Sequence, residues 1–235
     1  MSGGTWAVVV ARTGPSAKSR LAALLTPEQR AALALAMLDD LLAACAGAGL
    51  DGTVAVVDSE AGRALAVGRG ALAEPDGGGD MNAAVLVGLA RATAGGAAAA
   101  IVLPGDLPCA RAEDLAALAA SAAGRRAVAI ATDHAGTGTN ALLLRPPDAI
   151  APSFGAGSAE RHRAAAAAAG AAVLTVAPER LARDVDTVDD LAALTGLPIG
   201  AATAAALARL GPTLAGLADA ARVVGKMETG RPPAW

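Results

Sequence analysis

Short apolar runs alternate with helix-like stretches along most of this chain, and that alternation constrains its fold more than any other feature. The runs lie at 6–11 (WAVVVA), 53–58, 97–103, 126–131, 140–144 and 172–176. One more short run follows a weak helix in the fifteen residues after 58. Continuous β-branched runs of this kind suit strands covered on both faces. Between the first two, Thr26-Pro27-Glu28-Gln29 opens a helix: Thr26 caps it, Pro27 takes the first helical position and Gln29 completes a capping box. Leu33, Met37, Leu38, Leu41, Leu42 and Cys45 give that helix one apolar face, and Gly47 and Gly49 end it. Further helices are expected at 81–93, 111–122 and 158–169, and a short one capped by Thr187 with Asp190 three residues on. The pattern predicts an α/β fold of three layers, α/β/α, with a mostly parallel central sheet. It runs to about 196. From 197 to 235 it changes to helices alone, at 203–208 and 214–224, and this helical C-terminal tail carries no candidate chemistry.

Composition narrows the function. The apolar fraction is 54%, but much of it is Ala, and no run approaches the roughly 18–20 strongly apolar residues of a membrane-spanning helix. The start, MSGGTWAVVV, has neither a basic segment nor a cleavage pattern, so no signal peptide is expected. Two distant cysteines fit no metal spacing and point to a reducing cytoplasm. Cys45 continues a helical stripe; Cys109, beside Asp106, is not read as a reactive thiol. Net charge of −3 and an aromatic share of 1% argue against a nucleic-acid surface, which needs a basic face and stacking rings.

Three features carry candidate chemistry, each on a loop after a strand. The first is the loop after 6–11, where Arg12, Lys18 and Arg20 stand among small residues. Such a loop suits a polyphosphate, because amides approach closely and cations neutralise charge; a solvated surface loop is the alternative. It is not a P-loop, since G-x-x-x-x-G-K-[ST] is absent. The second is acidic. Asp106 follows the run IVLP, at the strand end where open α/β sheets bind ligands. Asp184 and Asp186 are two apart and face one side of an extended segment. Together the three can hold Mg²⁺, which prefers carboxylate and phosphate oxygens; alternatively Asp184 pairs with Arg183 and Asp186 is a turn residue. The third is GTGTN (136–140) with FGAGS (154–158). The first of these matches G-x-G-x-x-A but precedes a strand, which excludes a dinucleotide fingerprint. Ser158 is expected to cap a helix whose free amides form an anion site, with Thr139 adding a hydroxyl. Arg161, His162 and Arg163 lie in reach of it or in solvent, and His134 is a loop residue. No nucleophile–base set stands out, and transfer to a phosphate needs none, because the phosphate is already ionised near neutral pH.

These segments, in this order, resemble the phosphoenolpyruvate / 2-phospho-L-lactate guanylyltransferases of coenzyme F-420 biosynthesis. The likeness covers about 6–194 and rests on AKSRL (17–21), MNAA (81–84), GDLP (105–108), GTGTNAL (136–142), FGAGS with the following RHR (154–163) and DVDT (184–187). It implies a nucleotide-diphospho-sugar transferase fold, of glycosyltransferase-A-like type. It also implies guanylyl transfer from GTP to phosphoenolpyruvate, or to 2-phospho-L-lactate, with release of pyrophosphate. By the same likeness Asp106, Asp184 and Asp186 would bind Mg²⁺, and Thr139, Gly155 and Ser158 would hold the phosphoacid. Lys18 and Arg20, with Arg12, would face the GTP phosphates, with Lys18, Arg20 and Asp106 as the catalytic set, and Asn82 would lie near guanine or ribose. Members often carry Pro-Val-Lys where this chain has Val10-Ala11-Arg12, and Arg and Lys are not interchangeable at a phosphate. A molybdopterin or sugar phosphate as acceptor is the alternative, and a silent nucleotide-binding scaffold is a third reading. A homodimer is left open.

Overall fold

The computed structural model describes residues 3–121, 124, 126–176 and 178–211. Its strands are β1 (Thr5–Ala11), β2 (Gly52–Val57), β3 (Leu72–Pro75), β4 (Ala99–Pro104), β5 (Ala127–Thr132), β6 (Thr139–Arg145) and β7 (Ala172–Val176). Its helices up to residue 196 are α1 (Pro27–Gly47), α2 (Glu60–Gly68), α3 (Met81–Ala94), α4 (Ala112–Ser121), α5 (Ser158–Ala168) and α6 (Val188–Ala193), besides a single 3-10 turn at Ser19–Leu21. The strands form one sheet in the order β3-β2-β1-β4-β6-β5-β7. Every pairing is parallel except those of β6, which runs antiparallel to β4 and β5.

Side chains that alternate along a strand point to opposite faces of a sheet, and here both faces are covered. Ala7, Val9 and Ala11 pack with Leu38, Leu41 and Leu42 of α1 and with Leu115 and Leu118 of α4. Val8 and Val10 pack beneath α3 in a cluster with Val85 and Leu89, and the same cluster extends to Ala159 and Ala166 of α5 over β5. The expected capping box at Thr26 and Gln29 is present, with reciprocal bonds of 3.3 and 2.9 Å. So is the one at Thr187 and Asp190.

A third apolar cluster lies beside the sheet. It joins Leu21, Leu33, Met37, Cys109, Val185 and Leu191 to Ala206 and Leu210. The last two belong to a helix over 201–211, which starts where Asp40 accepts the amides of Ala202 and Thr203 at 3.0 and 2.7 Å. The described part of the expected tail thus shares a core with the residues around Lys18 and Asp186; the helix expected at 214–224 lies outside the described residues. Replacing Leu210 by Ala removes buried methyl groups from this cluster. A loss of about 2 kcal/mol is expected, read as a lower urea midpoint at unchanged slope.

Candidate active site

Parallel strands end on one edge of the sheet, and the reversed strand begins there. Val102 of β4 faces Leu142 of β6, so the start of β6, at Thr139 and Asn140, lies beside the end of β4, where Asp106 follows. Gly105 turns the chain there: its amide donates to the Val10 carbonyl at 2.9 Å, and a Cβ at this position would run into Ala11. Asp106 is thereby carried to the end of β1.

The basic loop after β1 is pinned at both ends. Asp58, just past β2, accepts the amides of Thr13 and Gly14 at 2.6 and 3.0 Å. The buried Arg30 of α1 donates to the carbonyls of Ala17, Leu25 and Pro15 at 2.9 to 3.1 Å. Between these anchors Lys18 has left-handed backbone angles, φ 48° and ψ 46°. That conformation is uncommon for a residue with a side chain and marks local strain held by the surroundings. It sends the ammonium between two carboxylates: Nζ lies 2.5 Å from Asp106 Oδ2 and 3.0 Å from Asp186 Oδ1. The Lys18 side chain is only 10% exposed. Burial works against its charge, but Asp106 and Asp186 outweigh burial and raise its pKa. Arg20, more exposed, donates to the other oxygen of Asp186 at 3.0 Å. Asp186 is fixed from behind, because Asp190 accepts its backbone amide at 3.0 Å.

Asp184 is the third acid. The alternative pairing with Arg183 is not seen; Asn140 Nδ2 donates to Asp184 Oδ1 at 3.0 Å, and to the Leu181 carbonyl at the same distance. Burial, and then the charges of Asp106 and Asp186, raise the Asp184 pKa against the opposing Asn140 bond. The GTGTN segment gives Asn140 no role of its own. Its one signal is a polar residue at the head of the apolar run of β6; its burial appears only in the fold.

Among the described residues, no three His, Cys, Asp or Glu side chains form a ready cage for a metal. Lys18 instead stands between Asp106 and Asp186. The acids nonetheless fit a hard divalent cation. Asp106 Oδ1 is buried with no hydrogen-bond partner, and Asp184 is held against like charges. A cation that needs few protein oxygens would satisfy both.

Asp106, Asp186, Lys18 and Arg20 open onto a cleft of about 540 Å³, lined also by Arg12, Asp80, Met81 and Gly105. That volume suits a small-molecule ligand. Arg12 reaches across it to the Gly79 carbonyl, at 2.9 Å. Asn82 is differently engaged. Its Oδ1 accepts the Phe154 amide at 2.6 Å and its Nδ2 donates to the Phe154 carbonyl at 3.3 Å, which ties α3 to the FGAGS loop.

The expected anion cradle requires correction. Ser158 is not the cap of α5; Gly157 is, at φ 71°, and Gly155 has φ 114°. Nor are the first amides all free. The Ser158 amide donates to the Gly155 carbonyl and the Ala159 amide to the Thr137 carbonyl. Ser158 is buried, and its hydroxyl donates to Thr139 Oγ1 at 3.0 Å. Arg161 fastens the loop through Ser153 and Ala156. His162 faces neither solvent nor an anion but is fully buried. Arg163 pairs with Glu160 at 3.4 Å on the surface. Cys109 is buried and its thiol is pushed upward by burial, consistent with an inert role.

A carboxylate whose folded pKa is raised favours folding when protonated, and loses that favour as pH rises through the carboxylate range. The ionised Asp184 therefore costs stability at neutral pH. Asp184→Asn keeps the Asn140 bond and removes the charge. In metal-free buffer the variant is expected to melt above wild type at pH 7, with the gap closing toward about pH 4. Melting below wild type at pH 7 would refute the assignment.

Residues 6–213 match the family of proteins described as "Guanylyl transferase CofC like". The chain is 40% identical over 201 residues to the phosphoenolpyruvate guanylyltransferase of Sphaerobacter thermophilus, covering 85% of this chain and 97% of that one. It is 41% identical over 212 residues to the 3-phospho-D-glycerate guanylyltransferase of Phenylobacterium zucineum, covering 87% and 95%. Among solved structures, a nucleotidyl transferase from Methanothermobacter shares the fold with a TM-score of 0.60 at 17% identity, covering 81% of this chain and 95% of that one. A Desulfovibrio desulfuricans structure assigned to the nucleotide-diphospho-sugar transferases superposes with a TM-score of 0.69 at 16% identity, covering 89% and 96%. With its acids and cations gathered at the strand ends, and with this match over most of its length, the chain belongs to the CofC-like guanylyl transferase family.

Proposed function

We propose that this protein transfers the guanylyl group of GTP to phosphoenolpyruvate, in the pathway to coenzyme F-420. The observation that carries the reading is the cluster of Lys18 and Arg20 with Asp106 and Asp186 at the strand ends of a chain from a guanylyl transferase family. A phosphate oxygen of the acceptor attacks the α-phosphorus of GTP. The bond from that phosphorus to the β-phosphate oxygen breaks, and pyrophosphate leaves. The product is the acid joined to GMP through a diphosphate. The acceptor phosphate has a second pKa of about 6, so it is already a competent nucleophile. The protein then acts by alignment and by neutralising charge.

In this reading Lys18 and Arg20, with Arg12 across the cleft, hold the GTP phosphates. Thr139 and Gly155 hold the phosphoacid at the neighbouring strand end, and Ser158 supports them from behind through its bond to Thr139. Mg²⁺ is the cation that Asp106, Asp184 and Asp186 would take, and it would neutralise phosphate charge there. Asn82 acts on the site through Phe154, whose backbone it holds. The reaction belongs in this reading to the cytoplasm, where both buried thiols stay reduced. A second acceptor is favoured by the 41% identity to a 3-phospho-D-glycerate guanylyltransferase.

The test supplies GTP and Mg²⁺ with phosphoenolpyruvate, 2-phospho-L-lactate or 3-phospho-D-glycerate, and follows pyrophosphate release and product mass. Phosphoenolpyruvate is expected to give the highest kcat/KM. No pyrophosphate with any of the three would overturn the proposal. Asp106→Asn is expected to lower kcat at least about 100-fold. An unaffected kcat would remove Asp106 from the machinery.

A further inference from the structure

A buried chain of hydrogen bonds behind the phosphoacid loop fixes the direction of one hydroxyl. His162 lies on α5, fully buried, with the edge of its ring against Phe154 at a centroid distance of 5.1 Å. The Ser153 amide donates to its Nε2 at 2.9 Å. A backbone amide can only donate, so Nε2 carries no proton. Burial, helped by the Arg161 charge, lowers the His162 pKa to about 4, and the ring is neutral at physiological pH. A neutral imidazole without a proton on Nε2 has it on Nδ1.

Nδ1 lies 3.1 Å from Thr139 Oγ1 and therefore donates to it. Ser158 Oγ donates to the same oxygen at 3.0 Å. A hydroxyl oxygen has two lone pairs and one proton. Both lone pairs of Thr139 are taken, so its own proton must be given away. Among the described residues no acceptor takes it. Thr139 opens β6 beside the end of β4, so this free proton stands at the rim of the sheet that Asp106 follows.

We infer that His162 is a positioning residue which, through Thr139, presents one outward O–H donor to an anionic oxygen of the phosphoacid. Ser158 contributes its hydroxyl inward and supports that donor. The inference rests on the reading that Thr139 contacts the phosphoacid. A hydroxyl that turns freely can offer either a lone pair or a proton; this one can offer only a proton, which suits a carboxylate or phosphate oxygen. A hydrogen bond to a charged group supports a loss of about ten- to a hundredfold in KM when it is removed.

Two near-isosteric variants separate this role from simple packing. In His162→Asn the side-chain amide nitrogen takes the place of Nδ1 and keeps the bond to Thr139. In His162→Gln the amide reaches the place of Nε2 and keeps only the bond from Ser153. His162→Asn is expected to hold the phosphoacid KM within about threefold of wild type. His162→Gln and Thr139→Val are expected to raise it tenfold or more, with the KM for GTP within about twofold throughout. Equal losses in the Asn and Gln variants, or a wild-type phosphoacid KM in His162→Gln, would overturn the inference. Nitrogen-15 NMR of the wild-type protein supplies a second readout that needs no variant. The His162 ring is expected to show a protonated Nδ1 and a bare Nε2, unchanged from about pH 5.5 to 8. A protonated Nε2 would overturn the assignment. Wild-type turnover of the acids tests the proposed reaction by itself, so failure of that reaction and failure of this role give different results.

Discussion

One buried ammonium holds the site together. Lys18 Nζ binds Asp106, 88 residues away in sequence, and Asp186, 168 residues away. A charge this enclosed is stable only with partners of opposite sign, and removing either partner leaves the other groups uncompensated. The surrounding structure serves that contact. Asp58 and Arg30 pin the loop that carries Lys18, Gly105 turns Asp106 toward it, and Asp190 steadies Asp186. Even the helix over 201–211 contributes, since Leu210 shares a cluster with Leu21 and Val185, which flank these residues in sequence.

The arrangement also explains why three acids tolerate one another. Asp186 is neutralised by Lys18 and Arg20, and Asp106 by Lys18 on one oxygen only. Among the described residues Asp184 has no cation within bonding distance, and it relies on the Asn140 amide. The set is thus balanced on one side and short of positive charge on the other, as a surface prepared for a polyphosphate with its counter-ion would be. The proposed chemistry asks for no base, and His162 is turned into the core.

Much of this was legible in the sequence, for local reasons. β-branched runs gave the strands, and the two capping boxes gave the starts of α1 and α6. Asp106 was found because it follows an apolar run ending in Gly. What stayed hidden depends on burial, which has no local signature. His162 sits in an Arg-rich helical turn that reads as surface, yet it is the one member of that turn facing inward. Ser158 has the residue type of a cap, but a left-handed Gly157 takes that position and frees the hydroxyl for Thr139. Asn140 is a single polar residue in a strand, and only the return of the chain at Leu181 and Asp184 gives it partners.

The reversed direction of β6 has a practical side. It lets a strand's beginning and its neighbours' ends share one rim, so the opposite rim carries no proposed site residue. The turns there, at Gly96 before β4 and Gly170 before β7, have positive φ and open space around them. Exposed turns of small residues are where chains accept insertions and new termini. A fluorescent tag, an affinity handle or a circular permutation at either turn would report on the protein from the far side of the sheet.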